Sequence, residues 1–163
     1  MLKKIISGGQ TGADIAGLVV AKQMGIPTGG TMPKGFKTLR GPEPDYAILF
    51  GIKEHNSQSY IPRTYKNVED SDGTIRLAYN FNSAGEICTL NAINRYGKIY
   101  LDVNLAKPQE AQEVAKWILE NKIKTLNIAG NSESTAPGTY QATKQYLTKV
   151  LVCLEQLEKE KHI

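Results

Sequence analysis

Five short apolar segments, Lys3 to Ser7, Gly25 to Gly29, Thr74 to Ala78, Lys98 to Asp102 and Thr125 to Ala129, are spaced along the chain, each of strand length and each bounded by Gly, Asn or Asp. Helical stretches lie between them. Ala13 to Met24 is apolar almost all round, and Pro108 to Asn121 puts Ala111, Val114, Ala115, Ile118 and Leu119 on one face, with Pro108 suited to a first turn and Asn121 to a helix end. The last helical stretch, from about Pro137 to Lys159, repeats Leu147, Val150, Leu151, Leu154 and Leu157 with polar residues opposite. Each strand–helix–strand unit returns its second strand parallel to the first, and buried parallel strands need helices on both faces. The expectation is an α/β fold: a doubly wound parallel sheet of about five to six strands in three α/β/α layers. Thr31 to Asn67 is too long and irregular for a simple crossover, and long structured loops of that kind usually carry function.

Composition narrows the class. The 163 residues, 40% hydrophobic and with a net charge of +4, suit one domain spanning residues 1–163 and exclude a disordered or disulfide-built chain. No apolar run approaches the roughly 20 residues that cross a bilayer, so neither a membrane anchor nor a targeting signal is expected, and the reading is a cytoplasmic protein. The lysine surplus is spread out, without like-charge blocks or aromatic residues interleaved with arginine, so nucleic acid is not an expected partner. Cys88 and Cys153 lie in helical segments, which fits a reducing compartment, and with only His55 and His162 beside them no zinc set assembles. Both histidines read as surface residues. The apolar repeat through Leu157 runs longer than one face of a small sheet needs, which predicts a homo-oligomer, a dimer or tetramer.

Ten of the fifteen glycines lie in the first 51 residues, which places backbone-built binding loops there. Ser7-Gly8-Gly9-Gln10-Thr11-Gly12-Ala13-Asp14 runs from the first strand straight into a helix, a context in which free N–H groups and the helix dipole bind an anion. The same letters also read as a tight turn with a Thr11-x-x-Asp14 capping-box variant. No Lys follows the second glycine, so P-loop ATP chemistry is not indicated. Gly29-Gly30-Thr31-Met32-Pro33-Lys34-Gly35 follows the second strand and holds one cation, Lys34. Arg63 is suited to gripping a phosphate bidentately, and Tyr60 beside it to stacking on a planar ligand. Asp72 is either a carboxylate near the site or part of an Asp-Gly turn. Ser83-Ala84-Gly85-Glu86 is either a full capping box or a second anion cradle. Ala129 to Gly138, with Gly130 and Glu133, ends the last strand in a hydroxyl-rich loop where another helix amino end is expected at the crevice.

The string Ile6 to Asp14, with Gly25-Ile26-Pro27-Thr28-Gly29-Gly30 and Met32-Pro33-Lys34-Gly35, resembles the molybdenum cofactor carrier family. Arg63-Thr64, Asn67-Val68, Asp70 to Thr74, Leu126 to Gly130, Glu133-Ser134 and Pro137 to Tyr140 agree in the same order, over nearly the whole chain. The resemblance implies a Rossmann-like fold shared with the lysine-decarboxylase-like LOG proteins, and an oligomeric carrier of the molybdenum cofactor, a phosphorylated pterin, or of a nucleotide-type ligand. Where that family usually has Gly-Thr in the helix-opening loop, this chain has Gly85-Glu86, and a glutamate there repels a phosphate. The expected binding set is Ser7, Gly8, Gly9, Gln10, Thr11, Gly12, Asp14, Gly30, Lys34, Gly35, Arg63, Asp72, Ser83, Gly85, Gly130 and Glu133. The competing reading is a hydrolase or sensor acting on a nucleotide or ADP-ribose-like ligand, with Asp72 or Glu86 as general base if it is a hydrolase.

Overall fold

In the computed structural model, which describes residues 1–161, the chain runs β1 (Lys4–Ile6), α1 (Ala13–Gln23), β2 (Thr28–Gly29), β3 (Thr31–Met32), β4 (Lys37–Thr38), β5 (Gly41–Pro42), α2 (Tyr46–Phe50) and β6 (Lys53–Glu54). It continues through α3 (Tyr60–Glu69), β7 (Gly73–Ala78), α4 (Ala84–Tyr96), β8 (Ile99–Asn104), α5 (Ala111–Glu120), β9 (Thr125–Gly130) and α6 (Thr139–Lys161). The expectation for His162 falls outside the described residues. Five strands form a wholly parallel sheet in the order β2-β1-β9-β7-β8. These are the five segments anticipated from the sequence, and the α/β fold is Rossmann-like. From β1 the chain turns one way to β2, and from β7 it turns the other way to β8, so the loops diverge above β9. An open α/β sheet leaves its crevice at such a switch point.

The two faces of the sheet differ in chemistry. Ile75 and Leu77 of β7, Leu126 and Ile128 of β9 and Val103 of β8 join Val20, Val114, Ile118, Leu147, Val150 and Leu151 in the main core beneath α1, α5 and α6. The period of two in a strand sends the intervening residues to the other face. Among these are the polar residues Thr74, Arg76, Asp102 and Asn127. Thr74 and Asn127 are register partners joined by Asn127 Nδ2 donating to Thr74 Oγ1 at 3.2 Å, and Arg76 and Asp102 are register partners joined by two bonds of 2.7 Å. Over this face lie α3 and α4, with a small apolar cluster of Val68, Ala92 and Ile93. The leucine stripe of α6 packs inside the protomer, with Leu154 buried and Leu157 against the main core.

The segment from Thr31 to Asn67 builds an excursion: β3 pairs parallel with β6, β4 pairs antiparallel with β5, and Tyr46, Phe50 and Ile52 pack with Leu18 and Met32. It ends in α3, a helix within the stretch expected as a long loop. Ser59 caps α3 by accepting from the Ile61 amide at 3.2 Å, and Pro62 sits in the first turn, where its missing donor costs nothing. Asn67 then clamps α3 to β3, accepting from the Thr31 amide at 2.9 Å and donating to the Thr31 carbonyl at 3.0 Å.

Gly130 ends β9 opposite Leu77, and a Cβ there would lie 1.9 Å from the Leu77 carbonyl oxygen and 2.7 Å from Ala13 Cβ. Neither neighbour is a flexible chain end. Gly130→Ala should therefore lower unfolding stability by about 3 kcal/mol or more, read as a fall in the urea midpoint at unchanged slope.

Candidate functional site

A cleft of about 460 Å³ opens at the carboxyl edge over β9, walled by the first glycine loop, α3, the start of α4 and the polar face of β9. Among the residues expected from sequence, it brings together Gly8, Gln10, Asp14, Arg63, Ser83, Gly85, Glu86 and Gly130. Leu39 and Tyr60 line its mouth. A volume of this order suits a small organic ligand.

The loop from Ser7 to Asp14 holds an anion, and the anion is its own. Asp14 Oδ2 accepts from the Gln10 amide at 3.3 Å and pairs with Arg63 Nη1 at 3.4 Å. Four further amides are spent internally: Gly9 on Ser7 Oγ, Thr11 on Gln10 Oε1, Ala13 on the Asn131 carbonyl and Ile15 on the Gln10 carbonyl. Ser7 Oγ closes the turn by donating to the Asp14 carbonyl at 2.9 Å. Burial outweighs the attraction of Arg63 and of the backbone amides, so the Asp14 carboxyl is pushed up to about 6. The same pattern holds at α6, where Glu133 accepts from the Gly138 and Tyr140 amides at 2.7 and 2.8 Å. The Gln10 amide and the amino end of α6 are thus met by carboxylates of the protein itself.

The amino end of α4 differs. Ser83 is its N-cap residue, yet its hydroxyl makes no cap bond and donates instead to Glu86 Oε2, so the expected capping box does not form. Glu86 is drawn inward by this bond and by Asn131 Nδ2, which donates to the same oxygen at 2.9 Å. It is only 2% exposed, and burial raises its carboxyl above the usual range, partly offset by these two donors. Arg76 donates to the backbone carbonyl of Glu86 and spends its other bonds on Asp102. Ala84 and Gly85 of the first turn are exposed in the cleft, with open space where a Gly85 Cβ would stand.

Arg63 is the cation of the cleft. Its side chain is 12% exposed, its Cζ lies 5.4 Å from the Tyr60 ring centroid, and its Nε is buried without a partner. Gly8 makes room for it: a Cβ there would stand 2.1 Å from Arg63 Nη1.

Other expected residues lie elsewhere. Asp72 precedes β7, at the opposite, amino edge of the sheet, where its Oδ2 accepts from the Lys124 and Thr125 amides at 3.0 and 2.8 Å. It is the turn residue, and it reaches no part of the cleft. Gly30 packs its backbone against Ser7, and a Cβ there would stand 2.0 Å from the Ser7 carbonyl oxygen. Lys34 and Gly35 are exposed in the turn after β3, held by the Ser57 carbonyl and the Glu54 carboxylate. Gly9, Thr11, Gly12 and Glu133 face a second cavity on the far side of the loop, with Arg40, Tyr46 and Tyr140. His55 is half-buried, its Nδ1 accepting from the Ser57 amide at 3.0 Å. Among the described residues, no cluster of three His, Cys, Asp or Glu side chains is placed to hold a metal ion, and no helix is long and apolar enough to cross a membrane.

Asn131, absent from the expected set, ties the edge together. Its Oδ1 accepts from the Tyr79 and Asn80 amides at 2.8 and 3.0 Å, and its Nδ2 donates to the Asn80 carbonyl at 2.8 Å as well as to Glu86. Asn131→Asp keeps the accepting oxygen but sets an acceptor against Glu86 and the Asn80 carbonyl. It should cost about 2–4 kcal/mol at neutral pH, measured by urea unfolding.

Asp14 binds its proton more tightly folded than unfolded, so its contribution to stability is greatest below its ordinary value of 3.8 and is lost as pH rises to about 6. Measured as urea midpoints, the parent protein should therefore lose stability relative to Asp14→Asn across that window, and the difference should stay constant above it.

Residues 5–151 match the model of the circularly permutated YpsA SLOG family. The crystal structure of a protein named "Putative molybdenum carrier protein" from Syntrophus aciditrophicus SB superposes with a TM-score of 0.83 at 36% sequence identity, covering 92% of this chain and 95% of that one. No curated protein matches the chain. With nine-tenths of its length covered by the family model, and with the same fold in a relative of this identity, the chain belongs to the circularly permutated YpsA SLOG family.

Proposed function

We propose that the protein is a carrier that binds a small phosphorylated ligand, of pterin or nucleotide type, in the cleft over β9 without transforming it. The observation that carries this reading is Arg63. A guanidinium has five N–H donors, and Arg63 uses one on Asp14 while its buried Nε has no partner. An arginine kept from water with unspent donors suits a phosphate, and the uncapped amino end of α4 adds N–H groups in the same cleft. In this reading the phosphate sits with Arg63, while the Ser7 to Gly12 loop supports Asp14. The name of the Syntrophus relative supports a carrier role and makes a molybdenum-bearing pterin phosphate the first cargo to test. The expected homo-oligomer belongs to the same proposal on new grounds: the exposed apolar side chains Leu39, Ile48 and Leu49 around α2 are what a second copy would cover.

The hydrolase reading keeps one specific support, two buried carboxyls with raised pKa values, Asp14 and Glu86, in the cleft. With Asp72 at the other edge, these two are its candidate bases.

Calorimetry with phosphorylated pterins, nucleoside monophosphates, NAD and ADP-ribose, with mass spectrometry of each mixture, decides between the readings. Binding without product is expected. Arg63→Ala should weaken binding of phosphorylated ligands by about 10- to 100-fold, since each charge-assisted bond is worth about 1.5–3 kcal/mol. Product formation that Asp14→Asn or Glu86→Gln abolishes would replace the carrier by the hydrolase.

A further inference from the structure

The polar wall of the cleft is unequal in its hydrogen-bonding character. Thr64 and Thr89 each turn their hydroxyl back to a helix carbonyl, Tyr60 O at 2.9 Å and Gly85 O at 3.0 Å, which spends the proton and leaves oxygen lone pairs. Asn127 donates one of its two amide N–H groups to Thr74 Oγ1. Both donors that reach the Glu86 carboxylate end on Oε2, and neither ends on Oε1. No cation touches that carboxylate, because Arg76 bonds only the backbone carbonyl of Glu86. Away from Arg63 and the α4 amides, the strongest acceptor of the wall is the Glu86 carboxylate, buried and without a bonded cation. A buried acceptor of this kind is costly unless N–H donors meet it.

We propose that Glu86 is the specificity-determining residue of the cleft, accepting N–H groups from the edge of a 2-amino-4-oxopyrimidine ring, the edge that guanine and pterins share. Such an edge offers a ring N–H beside an exocyclic amino group, donors that a carboxylate accepts and that a phosphate-binding group in the same place would not. Adenine lacks this pair, having an acceptor ring nitrogen there. Hypoxanthine retains only the ring N–H. The inference rests on the proposed function only for the placement of the ligand in this cleft.

The test is calorimetry of the full-length protein with GMP, IMP, AMP, guanosine and 6-hydroxymethylpterin. GMP should bind at least about 10-fold tighter than AMP, with IMP between them, as the count of donors to a charged acceptor dictates. Glu86→Gln keeps an oxygen for Ser83 and Asn131 while replacing the other acceptor by an N–H₂ group. It should weaken GMP about 10- to 100-fold and leave AMP within about 3-fold of the parent. Ser83→Ala, which removes a support and keeps the acceptor, should retain the preference for GMP over AMP. The parent series needs no variant to fold, so equal binding of GMP and AMP by the parent protein overturns the proposal by itself. Failure of GMP, guanosine and the pterin all to bind overturns it as well. Guanosine and the pterin binding as tightly as GMP, with no effect of Arg63→Ala, would support Glu86 while removing the phosphate from the proposed function. AMP and GMP binding equally, both weakened by Arg63→Ala, would do the reverse. Comparing the pterin with guanosine tells which of the two ring systems the cleft takes.

Discussion

One amide side chain holds the carboxyl edge of this sheet in register. Asn131 is 1% exposed and fills all four hydrogen-bonding positions of its side chain, two on the amides after β7, one on the Asn80 carbonyl and one on Glu86. Its backbone carbonyl meanwhile receives the first amide of α1. Three loops that have no sequence proximity are therefore fixed by one residue, and an amide is the group that does it, since it donates and accepts at once. A carboxylate would repel Glu86, and an apolar side chain would leave amides unpaired where the strands end. The position of Glu86, the cover over the α1 terminus and the path from β7 to α4 all follow from this one set of bonds.

The sheet divides labour between its faces. The apolar face buries Ile75, Leu77, Leu126 and Ile128 against three helices and supplies most of the hydrophobic stabilisation. The opposite face gives up that gain and carries the polar pairs Thr74–Asn127 and Arg76–Asp102. Helix amino ends are treated unequally as well. Free amides facing a crevice attract whatever anion is present; Glu133 closes the α6 end, and Asp14 meets the Gln10 amide just ahead of α1. At α4 the Ser83 hydroxyl that would close it is turned away.

Periodicity and boundaries carried the five sheet strands, α1, α5 and α6, since each is governed by a local pattern of apolar residues. The helix α3 was not legible because its inward face is Thr64, Asn67 and Val68, polar in two positions of three, and its docking depends on Asn67 meeting β3 across 36 residues of chain. The cleft was legible in Gly8, Arg63, Ser83 and Glu86, which stand beside strand ends or helix starts. Asp72 misled because an Asp-Gly pair entering a strand lies at the strand's amino end, whereas the crevice is at the other. The roles of Asp14 and Glu86 were invisible for a different reason. Ser83-x-x-Glu86 satisfies the letters of a capping box, and the inward turn of its carboxylate is decided by Asn131, 45 residues away.

Charge balance inside the cleft gives it a direction. Asp14 and Arg63 lean on one another at 3.4 Å, long for a buried pair, and the guanidinium keeps its Nε unspent. Glu86 has neutral donors and no cation. An anionic group entering this space gains beside Arg63 and loses beside Glu86, while a group rich in N–H donors does the opposite. A ligand carrying both, a phosphate at one end and a donor-bearing ring at the other, satisfies the two sides together, and reversing it would place like charges face to face. In the proposed function, orientation is thus fixed before shape is considered. The glutamate that seemed at odds with a phosphate site becomes, on this argument, the group that keeps the phosphate at the other end.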